Sequence, residues 1–195
     1  VRGQYDGYRS EAAVAATSDV ETFAAMEVRI DNWRWADVPF YLRTGKYLGR
    51  KVSEITMVFK RVPFNAFGSA VAVPRRDHLT IRIQPNEGIS LALNAKRPGP
   101  DMELDRVTMD FDYEEEFKTE LADAYRVLLL DAMEGDRTLF LREDSVERAW
   151  EVLDPVLSRP SRLVTYAPGS WGPEEADDLI GPRRWHLSRQ TPGHG

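Results

Sequence analysis

Between Val38 and Ser53 the chain carries Arg43, Lys46, Arg50 and Lys51 and no acid. The whole chain has a net charge of −6, so this local run of four cations stands against its surroundings. An ammonium group is a compact point charge for phosphate, and a guanidinium can hold an oxyanion through two parallel hydrogen bonds. Gly45 and Gly49 lie in the same stretch and let backbone come close to a ligand. The chemistry on offer is capture of a small anion. A solvated basic turn has the same composition, because Lys and Arg are mostly exposed in any protein. Arg75-Arg76 and Lys96-Arg97 are further basic pairs in predicted loops, where solubility is reason enough for them.

Catalytic groups are harder to find. There is no Gly-x-Gly-x-x-Gly run, and so no dinucleotide fingerprint. Thr44-Gly45-Lys46 invites comparison with a phosphate-binding P-loop, which fails on two positions. Phe40 stands where the upstream Gly belongs, and Tyr47 stands where Ser or Thr must follow the Lys. His78, His186 and His194 have no metal-ligand spacing, and no Ser-His-Asp arrangement can be argued. His78 opens a predicted strand and reads as structural. Glu114-Glu115-Glu116 precedes a predicted helix and suits its N-terminal dipole rather than a metal. The expectation is therefore no catalytic residue and no metal site in this chain.

Composition narrows the field further. With 195 residues, 42% of them hydrophobic, the chain can bury a core of its own. It has no cysteine, which removes disulfides, thiolate metal sites and Cys nucleophiles and fits a reducing compartment. Mean hydropathy is −0.46, and no apolar run approaches the roughly 18 residues of a membrane-spanning helix. The acidic balance argues against generic nucleic-acid binding, which depends on Lys and Arg. Neither nucleic acid nor membrane is expected as a partner. No signal-peptide pattern opens the chain, and Val1 in place of Met suits a processed product or a fragment.

The elements that must position the basic stretch follow from periodicity. Alternation predicts strands over 20–30, 39–44, 52–60, 78–84, 89–95 and 104–113. Pro85-Asn86-Glu87-Gly88 turns the hairpin between 78 and 95. Residues 62–76 read as a long loop. Spacings of three and four then predict a helix over 117–133, and a second over 144–157 that Asp144 or Ser145 could cap. One short helix is predicted over 174–180. Residues 1–10 read as an arm, and the stretch from Ser158 as a Pro- and Gly-rich tail. Strands followed by helices predict an α+β fold: a large, mainly antiparallel sheet with helices packed on one face.

Taken in order, the residues resemble the C-terminal domain of the glucose-6-phosphate dehydrogenase family. The likeness runs from Arg2-Gly3-Gln4-Tyr5 through Arg34-Trp35, Val38-Pro39-Phe40 and Leu42-Arg43-Thr44-Gly45-Lys46. It continues through Ile83-Gln84-Pro85-Asn86-Glu87 to Gly169-Ser170, Gly172-Pro173 and Glu175-Ala176-Asp177. It covers about residues 1–180, with 181–195 left as a flexible tail. The resemblance implies that Lys46 and Lys51 contact glucose 6-phosphate and that Gln84 lies near the sugar. It implies that Arg43 touches a second, structural NADP⁺ found in some members. The main NADP⁺ site and the catalytic His belong to an N-terminal Rossmann domain in that family, so this chain alone is expected to be inactive. Also implied are a homodimer or homotetramer built through the sheet and a cytoplasmic location. The alternative is a non-catalytic binding or scaffold module that keeps the same sheet.

Overall fold

The computed structural model describes residues 1–64, 75–118 and 124–187. In chain order the strands are β1 (Arg2–Tyr5), β2 (Phe23–Val28), β3 (Phe40–Gly45), β4 (Ser53–Val58), β5 (His78–Gln84), β6 (Gly88–Lys96) and β7 (Leu104–Asp112). Helices α1 (Tyr113–Phe117), α2 (Ala124–Glu134) and α3 (Glu143–Ser158) follow, then β8 (Leu163–Tyr166) and α4 (Glu175–Leu179). The chain divides into two compact units: Val1–Arg50 with Ala122–Trp185, and Lys51–Leu121 with His186–Gly195.

The first unit is built on a four-stranded sheet in the order β3-β2-β1-β8. β1–β2 and β2–β3 are antiparallel, whereas β1 and β8 run parallel, with Tyr5 opposite Tyr166. Phe23 and Ala25 alternate inward on β2 and form the core with Tyr5, Tyr166 and Ala176. Phe23 is 1% exposed, and burying such a side chain is worth about 1.5–3 kcal/mol. The Tyr5 ring meets Tyr8, Tyr47 and Tyr166 edge-on. Helix α4 packs on β2. Trp185 packs against the same core and donates its indole N–H to the Ala176 carbonyl at 3.0 Å. Trp185 belongs to the stretch 181–195 expected as a tail, of which residues 188–195 lie outside the described residues.

The second unit carries an antiparallel sheet in the order β4-β5-β6-β7. Its register lines up Met57, Leu79, Leu91 and Met109 in one cross-strand row, with Ile55, Ile81, Ile89 and Phe111 in the next. These rows share one face, because side chains alternate along each strand. The opposite face is polar: Thr56, Thr80, Ser90 and Asp110 form one row, and Arg82, Gly88 and Asp112 the next. Arg82 is 9% exposed, with its guanidinium 3.6 Å from both Asp110 and Asp112. Gly88 beside it must be glycine. A Cβ there would run into the Arg82 guanidinium and the Phe111 carbonyl oxygen.

The α+β, mainly antiparallel expectation holds, with the strands of the described residues divided between two four-stranded sheets instead of one large sheet. β3 stops at Gly45 because the residues after it turn away to bond elsewhere in the first unit, as described below. The predicted arm and the start of the tail are corrected: they are β1 and β8, neighbours in one sheet. Arg2-Gly3-Gln4-Tyr5 shows no apolar alternation because Gln4 is buried by hydrogen bonding. Its amide donates to the Ser18 and Val20 carbonyls and accepts from Arg9. The helix expected over 117–133 is not continuous from its start. α1 ends at Phe117, and Lys118 takes a left-handed φ of 49°. Residues 119–123, like 65–74 of the expected long loop, lie outside the described residues. Neither Asp144 nor Ser145 caps α3. Arg142 holds the N-cap position, and the Asp144 carboxylate pairs with its guanidinium at 2.7 Å.

Candidate functional site

Lys46 follows the last residue of β3, where the backbone is tied at several points. Its N–H donates to the Thr22 carbonyl at 2.8 Å, which extends the β2–β3 ladder by one bond. The Tyr166 hydroxyl lies 2.8 Å from the Lys46 carbonyl oxygen and 3.1 Å from that of Thr22. Gly169 donates its N–H to the Tyr47 carbonyl at 2.8 Å, and Gly49 donates to Ser170 at 2.9 Å. Tyr47 adopts a left-handed φ of 48°. The stretch is therefore a fixed turn rather than a loose basic loop. Backbone hydrogen bonds satisfied in this way rigidify the segment that presents the side chain.

The Lys46 side chain itself is exposed and has no ion pair or hydrogen bond among the described residues. That combination, a fixed backbone with an uncommitted ammonium, suits an anion from solution. Arg43 differs. Its guanidinium lies 4.5 Å from the Trp185 ring centre and 5.2 Å from that of Trp171, and it donates to the Trp171 carbonyl at 3.3 Å. Such cation–π contacts contribute about 0.5–2 kcal/mol each. Arg43 thus helps hold the turn at 169–172 and Trp185 on the first unit.

Lys51 and Gln84 belong to the second unit. Ser53 at the start of β4 pairs with Gln84 at the end of β5, so Lys51 and Gln84 reach the same end of that sheet. Both side chains are exposed, and neither has a partner among the described residues. The Gln84–Pro85 peptide bond is cis. The four residues singled out in the sequence thus fall into two pairs, Arg43 with Lys46 on the first unit and Lys51 with Gln84 on the second.

Among the described residues no group of three or more His, Asp or Glu side chains is arranged to hold a metal ion. The two described histidines are neighbours instead. The rings of His78 and His186 stand 4.9 Å apart, and Arg106 lies 2.7 Å from Nδ1 of His78. Burial, and then the Arg106 charge, holds both imidazoles below the usual histidine range. Tyr166 belongs to no motif in the sequence, and its one signal there is an aromatic closing Leu163-Val164-Thr165-Tyr166 before Pro168 and Gly169.

Residues 1–186 match the family model described as glucose-6-phosphate dehydrogenase, C-terminal domain. The chain belongs to that family. It is 47% identical over 193 residues to the glucose-6-phosphate 1-dehydrogenase of Treponema pallidum, covering 95% of this chain and 38% of the relative. It is 44% identical to that of Aggregatibacter actinomycetemcomitans, covering 92% of this chain and 37% of the relative. The crystal structure of the Mycobacterium avium glucose-6-phosphate 1-dehydrogenase aligns with a TM-score of 0.85 at 39% identity, over 98% of this chain and 40% of that one. A glucose-6-phosphate dehydrogenase solved in complex with its substrate glucose 6-phosphate aligns with a TM-score of 0.83 at 32% identity, over 97% of this chain and 41% of that one. The chain thus spans about two fifths of the length of the relatives it matches. The basic turn and the Gln84-Pro85-Asn86-Glu87 segment both lie inside the matched region.

Proposed function

We propose that this chain is the sugar-phosphate-binding and self-associating part of a glucose-6-phosphate dehydrogenase. The observation that carries the reading is Lys46, an uncommitted cation on a turn fixed by hydrogen bonds, in a chain of this family. In the parent reaction a hydride leaves C1 of glucose 6-phosphate as a base takes the C1 hydroxyl proton, and a lactone forms. NADP⁺ supplies the hydride acceptor. The base and the main nucleotide site lie outside this chain, which has no dinucleotide fingerprint. Its own work is binding. By the resemblance, Lys46 and Lys51 are each a cation for the phosphate, and Gln84 is a hydrogen-bonding partner for a sugar hydroxyl.

Contact of Arg43 with a second NADP⁺ is supported by resemblance alone. In this structure its guanidinium stacks on Trp171 and Trp185. Self-association is supported by the apolar face of the second unit's sheet. Ile55 is 52% exposed and Met109 64%, in rows that cross all four strands. A two-fold contact with a second copy would cover such a face with an identical one. A cytoplasmic location accords with the absence of cysteine. No helix among the described residues is long and apolar enough to cross a membrane.

The test is the full-length protein that carries this chain, supplied with NADP⁺ and either glucose 6-phosphate or glucose. Rapid NADPH formation with the phosphorylated sugar alone is expected. Equal rates with both sugars, or none with either, would contradict the reading.

A further inference from the structure

The sugar-phosphate reading gives the Tyr166 hydroxyl no task, although it lies 2.8 Å from the Lys46 carbonyl oxygen. Tyr166 is 4% exposed, and burial holds its phenol above the usual range, so it acts as a neutral hydrogen-bonding group. Its hydroxyl lies within reach of three oxygens. The Tyr5 N–H donates to the Thr22 hydroxyl oxygen at 3.0 Å, and that hydroxyl lies 3.0 Å from the Tyr166 oxygen. The other oxygens within reach of the phenol are the carbonyls of Lys46 and Thr22, which can only accept. When Tyr166 gives its proton to the Lys46 carbonyl, the nearer of the two, its oxygen is open to the Thr22 hydroxyl. The result is a chain of hydrogen bonds joining Tyr5, Thr22, Tyr166 and Lys46, in which each bond polarises the next.

We propose that Tyr166 is a positioning residue for Lys46. Its hydroxyl fixes the peptide from which the Lys46 ammonium is presented to the phosphate of glucose 6-phosphate. The inference rests on the assignment of Lys46 above. The bond from Tyr166 to Lys46 joins residues 120 positions apart in the chain, so nothing local to the turn replaces it. The Lys46 side chain has no other protein partner among the described residues to steer it. Its backbone is then the feature that sets where the ammonium can reach.

Four versions of the full-length dehydrogenase test this: unaltered, Tyr166→Phe, Lys46→Ala and the double variant. Phe keeps the ring that packs on Tyr5 and Phe23 and removes the hydroxyl. Tyr166→Phe is expected to raise the KM for glucose 6-phosphate about three- to ten-fold, as loss of one neutral hydrogen bond allows. The KM for NADP⁺ and kcat should stay within about two-fold. In the Lys46→Ala background the same substitution should change nothing, because its effect runs through Lys46. If the two effects multiply in the double variant, or if Tyr166→Phe lowers Tm alone, the positioning role is overturned while the Lys46 assignment stands. If Lys46→Ala leaves the glucose 6-phosphate KM unchanged, both fall. Should Tyr166→Phe fail to fold, Thr22→Val, which removes the hydroxyl hydrogen-bonded to the phenol, must raise the same KM and no other.

Discussion

Gly45 stands directly opposite Phe23 in the β2–β3 ladder, and a Cβ added to it would lie 2.8 Å from the Phe23 ring. Phe23 is 1% exposed, and the same edge of its ring lies so near Gly172, at a φ of 103°, that a Cβ there would also run into it. The glycine before Lys46 is thus set by the first unit's core, and any side chain there must push either the core or the turn.

Gly45→Ala is expected to destabilise the protein by about 1–3 kcal/mol, the usual cost of overpacking. In a domain of this size each kcal/mol lowers Tm by about 2–4 °C. Thermal unfolding of the full-length variant reads this directly, and an unchanged Tm would mean that the ring has room to move.

The histidine pair makes stability depend on pH. Both imidazoles sit below their ordinary value in the folded chain, chiefly through burial and then through Arg106. Below pH 6.5 the unfolded chain takes up protons that the folded one refuses, so the unfolded state binds more protons and stability falls with falling pH. The backbone bond from Arg76 and the charge of Asp77 act on His78 in the opposite sense and moderate the effect. Urea unfolding between pH 7.5 and 5.5 should show a shallower decline in the His78→Gln, His186→Gln double variant. Parallel slopes would remove these two residues from the explanation.

The exposed rows of the second unit's sheet predict a change of oligomeric state. Met109→Lys places a charge on the edge strand of a face proposed to meet its own copy, where desolvating it is costly. Light scattering of the full-length variant should find a smaller assembly than that of the unaltered protein. An assembly of unchanged size in both Met109→Lys and Ile55→Lys would place the contact elsewhere.

How much of this was legible in the sequence depends on what holds each element. β4 to β7 alternate because one face of their sheet is apolar and the other polar, and periodicity located them to within one or two residues. α3 was legible for the same reason, from its own helical spacing. β1 and β8 were not, since Gln4 is buried by hydrogen bonds and the two strands pair in parallel across most of the chain. Lys46 was legible as a charge in an acid-free stretch. Its fixed turn was not, because the bonds that fix it come from Thr22, Tyr166, Gly169 and Ser170. The indoles against Arg43 were likewise invisible, being 128 and 142 residues away in sequence.

The most direct test of the account is the Lys46→Ala variant of the full-length dehydrogenase, with KM measured for each substrate in turn. A hydrogen bond to a charged group is worth about 1.5–3 kcal/mol, so the KM for glucose 6-phosphate should rise roughly ten- to a hundred-fold. Lys46→Arg should recover only part of the loss, since a planar fork does not reproduce a point charge. The KM for NADP⁺ should not move. A raised KM for NADP⁺ with glucose 6-phosphate unaffected would contradict the account.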